Sequence, residues 1–346
     1  MSRSRLRLAC VEEIAVNLVI PGRNCARTIR ACLSAAVSLM QRDGSPLTEI
    51  IFVDDGSTDE TAQIVAEFPV RCVPGDGRGP GAARNIGWRA AGAPLVWFVD
   101  SDCVAEPDAL DLLLPHLDDP TVGGVGGSYG TMTADSLLAC LIHEEIIERH
   151  RAMPTRVNFL ATFNVIYRRH VLEEIGGFDE QFLKGQDAEL AFRVIEAGYE
   201  LRFEFASRVR HFHPTRWRSY LRTQRQQGYW RAWLHLSHGG HAMGDSYSSL
   251  VDHAQPPLAV LALASLPLVA VRGGLWMPIG FVAMLIAAQV PLTLRLVRRL
   301  GRPRYLWFGV MSFIRAFWRG IGLAQGVLGV TMSKLTSGRR RENHHT

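Results

Sequence analysis

The chain reads as an α/β protein, with helices on both faces of a mainly parallel sheet and membrane-suited helices behind it. Three observations predict this. Short apolar, β-rich runs alternate with helical periodicity from Ala15 to His116. Two of those runs end abruptly in paired aspartates, and from Pro257 the composition turns to long uncharged stretches bounded by arginines. Strand–helix alternation requires crossover connections, which bury a parallel sheet on both sides.

The predicted strands are "AVNLVIP", "EIIFVDD", "VRCVPG" and "LVWFVDSD", and the helical patterns between and after them cover Ala26 to Arg42, Glu60 to Phe68, Gly81 to Ala91 and Ala109 to His116. In such sheets ligands bind beyond the carboxyl ends of the strands. The acids of "VDDGSTD" and "VDSD" therefore collect on one edge. Beyond them "GGVGGSYG" reads as a glycine-rich loop, Leu137 to Arg149 as a helix, "FNVIYRR" as a strand and Gln186 to Ala197 as a helix stopped by Gly198. Thr215 to His238 interleaves aromatics with arginines in helical spacing, the pattern of a helix lying on a membrane surface.

At 346 residues and 47% hydrophobic, the chain is long enough for a substantial core, which excludes disorder. Its net charge of +5 is local: from Arg295 onward there are eleven Lys/Arg against one acid, so the rest is acidic on balance and nucleic acid is not an expected partner. The six cysteines, all within the first 140 residues, form no C-x-x-C pair, which argues against zinc and against a disulfide framework and fits a reducing compartment. At the N-terminus Glu12 and Glu13 interrupt any apolar run, so no cleavable leader is expected.

"PLAVLALASLPLVAV" is apolar for fifteen residues, "RGG" follows, and "LWMPIGFVAMLIAAQVPLTL" is uncharged for twenty. Together, residues 257–294 predict a transmembrane hairpin. The cluster Arg295, Arg298, Arg299, Arg302 and Arg304 marks its cytoplasmic side, where the N-terminal domain then also lies. Tyr305 to Val330 is apolar too but carries Arg315 and Arg319 four apart, which predicts an interfacial helix rather than a third span. The expected divisions are 1–214 as catalytic domain, 215–256 as interfacial linker, 257–294 as hairpin and 295–346 as basic interfacial helix and tail.

Paired carboxylates at the end of a buried strand, Asp100 and Asp102, require a positive partner. Two acids hold an anionic ligand only by sharing a divalent ion with it. "DDGSTDET" sets Asp54 and Asp55 at another strand end before a helix start, where a carboxylate accepts hydrogen bonds from a base or ribose or simply caps the helix. "GDGRGPGAARN" formally satisfies a dinucleotide fingerprint through Gly77, Gly79 and Ala82, but that motif belongs on the first strand–helix turn and here two strands precede it.

These pieces occur in an order that resembles family 2 glycosyltransferases, the inverting nucleotide-sugar-dependent class with the GT-A fold: "LVIPGRN", "VDDGSTDET", "GPGAARNIG" with "LVWFVDSD", and "GGFDEQFLKGQDAELAFR". The likeness spans Val16 to His213. It implies that Pro21, Asn24, Asp54, Asp55, Arg84 and Asp100 approach the nucleotide sugar, that Asp102 and His211 hold Mg²⁺ or Mn²⁺, and that Asp187 is the base that deprotonates the acceptor. Gln186 stands where the family pattern has Glu; it and Arg193 are expected as acceptor or support residues. "QRQQGYW" resembles the Gln-x-x-Arg-Trp signature of processive membrane synthases in Gln226 and Trp230, with Tyr229 in place of the arginine, which speaks against a processive polymerase. The implied protein is a cytoplasm-facing, inner-membrane enzyme that moves one sugar, UDP-linked, to a lipid-linked or saccharide acceptor. The alternative is an inactive nucleotide- or glycan-binding membrane protein of the same fold.

Overall fold

The structure, a computed structural model, describes residues 14–237 and 245–342. The leader expectation for the N-terminus, Cys10, the His238 end of the aromatic stretch and residues 343–346 of the basic tail lie outside the described residues. In chain order the elements are β1 (Val16–Gly22), α1 (Ile29–Met40), β2 (Leu47–Asp54), α2 (Thr61–Val65), β3 (Arg71–Pro74), α3 (Pro80–Ala90), β4 (Leu95–Val99) and β5 (Cys103–Ala105). Then follow α4 (Ala109–Leu113), β6 (Val122–Thr131), α5 (Leu137–Ala152), β7 (Arg156–Val157), β8 (Asn164–Arg168), α6 (Arg169–Ile175), α7 (Gln186–Glu196) and β9 (Glu200–His211). The C-terminal part holds α8 (Trp217–Ser237), α9 (Leu250–Ala264), α10 (Trp276–Leu300) and α11 (Trp307–Glu342).

The sheet runs β3-β2-β1-β4-β8-β6-β9-β5, with β7 on β9. β3, β2, β1 and β4 are parallel, and β8 joins β4 antiparallel. Leu18 and Ile20 of β1 enter one core with Phe52, Trp97 and α1, whereas Val19 enters the other with Val53, Phe98, Trp88 and Leu190. This two-faced burial is why the strands read as continuous apolar runs rather than as alternation. The parallel register pairs Gly22 with Asp54, so β1, β2 and β4 deliver their following loops to one edge.

The glycine-rich segment expected as a loop is instead the strand β6, hydrogen-bonded to both β8 and β9. Its glycines make room for large neighbours: a Cβ on Gly124 would lie 2.5 Å from the Tyr167 ring, and one on Gly127 2.1 Å from the Asn164 amide. Backbone pairing with close neighbours overrides glycine's weak strand preference.

Two helical segments are long and apolar enough to cross a membrane, Leu250–Ala270 at mean hydropathy 1.3 and Trp276–Leu300 at 1.8. The first begins before Pro257, with Pro256 and Pro257 inside α9, capped by a reciprocal Ser249–Asp252 box. Arg315 and Arg319 of α11 do not face outward as an interfacial helix would present them. Arg315 is 4% exposed and ion-paired to Glu145 of α5 at 2.5 Å, while Arg319 donates to Gln224 and Gln227 of α8. The aromatic stretch is likewise a packed helix: α8 crosses α11 so closely that a Cβ on Gly322 would lie 1.9 Å from the Arg225 carbonyl oxygen.

Candidate active site

The loop after β1 is stitched to the acid loop after β2. Asn24, at φ 52°, accepts from the Thr58 amide at 2.8 Å and donates its own amide N–H to Ser57 Oγ at 3.0 Å. Asp54 accepts from the Ser57 amide at 2.9 Å, so it caps this turn while remaining half-buried. Pro21 is buried within β1. Asp55 is buried, and its two oxygens accept from the Gly77 and Gly79 amides at 2.9 and 3.0 Å. Burial pushes its carboxyl up against those two amides. The amides of the formal dinucleotide fingerprint are thus spent on a protein carboxylate rather than presented to a phosphate.

At the end of β4, Asp100 receives Arg84 Nη2 at 2.5 Å. Arg84 comes from α3, is 3% exposed, stands over the Phe178 ring at 5.7 Å and leaves its Nε without a hydrogen-bond partner. The positive partner that the paired aspartates require is therefore built in on one side. On the other, antiparallel pairing of Cys103 with His211 brings Asp102 beside His211, whose Nε2 lies 3.1 Å from the Asp102 carboxylate. Asp102 Oδ, Cys103 Sγ and a His211 ring nitrogen lie within 4.8 Å of one another. Burial pushes the Cys103 thiol well up, while the Asp102 carboxylate and the His211 imidazole offer an oxygen and a nitrogen donor. An oxygen–nitrogen pair beside open space suits a divalent ion that completes its sphere with phosphate oxygens. For His211, burial opposes protonation but Asp102 outweighs it and raises the pKa.

Asp187 lies in the first turn of α7, whose N-cap is Gly185 in the left-handed region. Its Oδ1 accepts from the Ala188 amide at 2.9 Å. Burial raises its pKa, while the Ala188 amide and the nearby Arg84 guanidinium lower it and Asp100 raises it further. Gln186 is 6% exposed and its Oε1 has no hydrogen-bond partner among the described residues. Arg193 is a brace: it binds Glu189 through two nitrogens and donates to the carbonyls of Ile175 and Gly177. Trp230 of α8 packs against Phe182 with ring centroids 5.9 Å apart, close to the loop that carries Asp187. Gln226 is exposed on α8.

Sequence reasoning missed the surroundings of His211. Its Nδ1 meets His213 Nδ1 at 2.9 Å, and His213 Nε2 meets His143 Nδ1 of α5 at 3.3 Å. Tyr129 lies alongside, stacked on Phe163 at 3.5 Å and 5.1 Å from the His211 ring. The "HFH" spacing hinted at the first pair; nothing local pointed to His143, seventy residues away.

Residues 17–176 match the family model described as glycosyl transferase family 2. The chain is 29% identical over 226 residues to the pre-mycofactocin glycosyltransferase of Mycobacterium tuberculosis, covering 60% of this chain and 44% of that one. It is 30% identical over 224 residues to the probable glycosyltransferase YdaM of Bacillus subtilis, covering 60% and 53%. The chain thus spans about half the length of these curated relatives. Among solved structures it resembles the mannosyltransferase PcManGT from Pyrobaculum calidifontis, in complex with GDP-Man and Mn²⁺, at a TM-score of 0.57 and 20% identity, covering 88% of this chain and 86% of that one. That likeness is one of fold, and it extends past the family domain.

Proposed function

Residues 17–176 belong to glycosyl transferase family 2, and from that premise we propose that the protein transfers one sugar from a nucleotide diphosphate sugar to a lipid-linked or saccharide acceptor, with inversion. The observation that carries this reading is the meeting, at one sheet edge, of Arg84 with Asp100, of Asp102 with His211, and of Asp187 across the cleft. Asp187 takes the proton of the acceptor hydroxyl, whose oxygen bonds to the anomeric carbon as the bond to the diphosphate breaks. The proton ends on Asp187, and the nucleoside diphosphate leaves. A carboxyl raised by burial is a better base than an ordinary one, and geometry at a helix start keeps it aimed.

Asp102 and His211 would hold Mg²⁺ or Mn²⁺, which supplies charge neutralisation for the departing diphosphate. Asp54, Asp55 and Asn24 shape the loop against which the nucleoside lies, and Asp100 keeps Arg84 extended beneath the donor. Gln186 and Trp230 are support for the acceptor side, and Arg193 locks α7 in place. UDP-linked donors remain the first class to try, with GDP-linked donors beside them because the structural neighbour holds GDP-Man.

Residues 1–214 form the catalytic unit in this reading, 215–256 lead to the 257–294 membrane hairpin, and 295–346 return along the cytoplasmic face. The arginines that follow the hairpin support an inner-membrane location with the catalytic unit in the cytoplasm. The test is a panel of radiolabelled nucleotide sugars given to native membranes, with Mn²⁺ or with EDTA. Transfer from one donor, lost in EDTA, is the expected result. Nucleotide binding without turnover from any donor would favour the inactive binding protein instead.

A further inference from the structure

A cleft of about 320 Å³ opens where α5, the end of β6 and the foot of α10 meet, lined by Cys140, His143, Glu144, Arg302, Arg304 and Tyr305 among others. Its charge is unbalanced. Glu144 is already neutralised by Arg299 at 2.6 Å. Arg302 and Arg304 are exposed and pair with no acid among the described residues; Arg304 instead stands over the Tyr305 ring at 5.2 Å. His143 offers its Nδ1 to His213 and keeps Nε2 without a partner among the described residues. Two guanidinium groups and an imidazole around a polar hollow form a site for a phosphate anion, which Arg binds through paired N–H donors.

The surroundings select the source of that phosphate. The cleft adjoins the C-terminal end of α10, whose Ile286, Val290 and Leu294 are exposed, and Leu306 and Trp307 beside it are 54% and 58% exposed. An apolar chain joined to the phosphate would lie along this surface, whereas a free anion gains nothing from it. The row His143, His213, His211, Asp102 also runs from the cleft wall to the metal corner. A headgroup in the cleft therefore sits at the membrane-side end of the active site.

We propose that this cleft is the subsite for the phosphate that joins a lipid anchor to the acceptor, held by Arg302, Arg304 and His143. This rests on the glycosyltransferase reading with a lipid-linked acceptor. The test uses the full chain in neutral detergent and calorimetric titration with farnesyl phosphate, farnesol and inorganic phosphate, on the wild type and on an Arg302→Gln/Arg304→Gln double variant. Both arginines are exposed, so the variant should fold, which circular dichroism checks. Each charge-assisted bond of this kind is worth about 1.5–3 kcal/mol, so farnesyl phosphate should bind the wild type at least about tenfold tighter than farnesol. The double variant should lose that difference and leave farnesol binding unchanged. Equal affinity for the phosphate and the alcohol, or full affinity in the double variant, overturns the subsite. Inorganic phosphate binding as tightly as farnesyl phosphate overturns the lipid assignment. Titration of UDP or GDP with Mn²⁺ on the same samples separates the two readings: loss of nucleotide binding with farnesyl phosphate binding intact counts against the enzyme reading and not against the cleft.

Discussion

Two places in this molecule face carboxylates with cations, and they do so in opposite ways. At the donor edge Asp102 keeps 45% of its side chain exposed beside His211, and Asp100 34% beside Arg84. Along the seam under α11, Glu145 is 6% exposed and Arg315 5%, and Arg149, at 11%, joins Glu145 to Asp252, also at 11%. Each edge carboxylate meets one cation and keeps lone pairs for another ligand. In the seam Glu145 is answered by Arg315 and Arg149, and Arg149 by Glu145 and Asp252, all of them buried. The comparison separates charge that keeps an open side from charge that docks the C-terminal helices on the α/β half.

Breaking the edge should affect chemistry and spare the fold. Asp187→Asn is expected to lower transfer by roughly 10²–10⁴-fold, the usual worth of a positioned base, with donor affinity in Mn²⁺ unchanged. An equal fall in donor affinity, measured by titration of the nucleotide sugar, would make Asp187 a donor ligand instead.

Breaking the seam should do the reverse. Glu145→Gln leaves Arg315 buried without its acid and Arg149 with Asp252 alone, and is expected to cost about 3–5 kcal/mol, read as a lowered melting temperature while nucleotide binding persists. Acid sharpens the same point. Burial pushes the Glu145 carboxyl up, but Arg315 and Arg149 outweigh it and hold it at about 2. Because the folded value lies below the unfolded one, the stabilisation is complete above an ordinary carboxyl pKa of about 4.5 and is lost as pH falls toward 2. Melting curves from pH 6 down to 2 should therefore converge for wild type and Glu145→Gln at the acidic end; parallel curves would exclude Glu145 as the titrating group.

Asp102→Asn should weaken Mn²⁺-dependent nucleotide binding by at least the roughly 10–100-fold that follows loss of an outer partner of a metal ligand. Undiminished binding in Mn²⁺, measured by calorimetry, would remove Asp102 from the metal corner. The smallest effect is expected at the exposed Arg30–Glu67 pair, 2.6 Å apart with both side chains over half exposed. Arg30→Gln should leave both the melting temperature and transfer where they were, since solvent already screens such a pair. A measurable shift there would mean that exposure is the wrong basis for the contrast.

Sequence alone determined the α/β class, the strand ends that carry Asp54, Asp55, Asp100 and Asp102, and the helix start that carries Asp187. Those signals are local: apolar runs of strand length, a turn, a cap. It also marked one apolar stretch long enough to span a bilayer and a shorter one before it, which the structure extends to Leu250–Ala270. What it could not decide was anything set by contact between distant segments. "GGVGGSYG" became β6 because Tyr167, Leu160 and Asn164 need the space its glycines leave. Arg315 and Arg319 turned inward because Glu145 of α5 and the glutamines of α8 await them, although their spacing on one face suits a membrane surface equally well. His143 joined His213 and His211 only because α5 packs on β6, the strand that pairs with β9 as far as His211. Periodicity records which face of an element is apolar, but which partner meets that face, and which charge answers which, is a property of packing across tens to hundreds of residues.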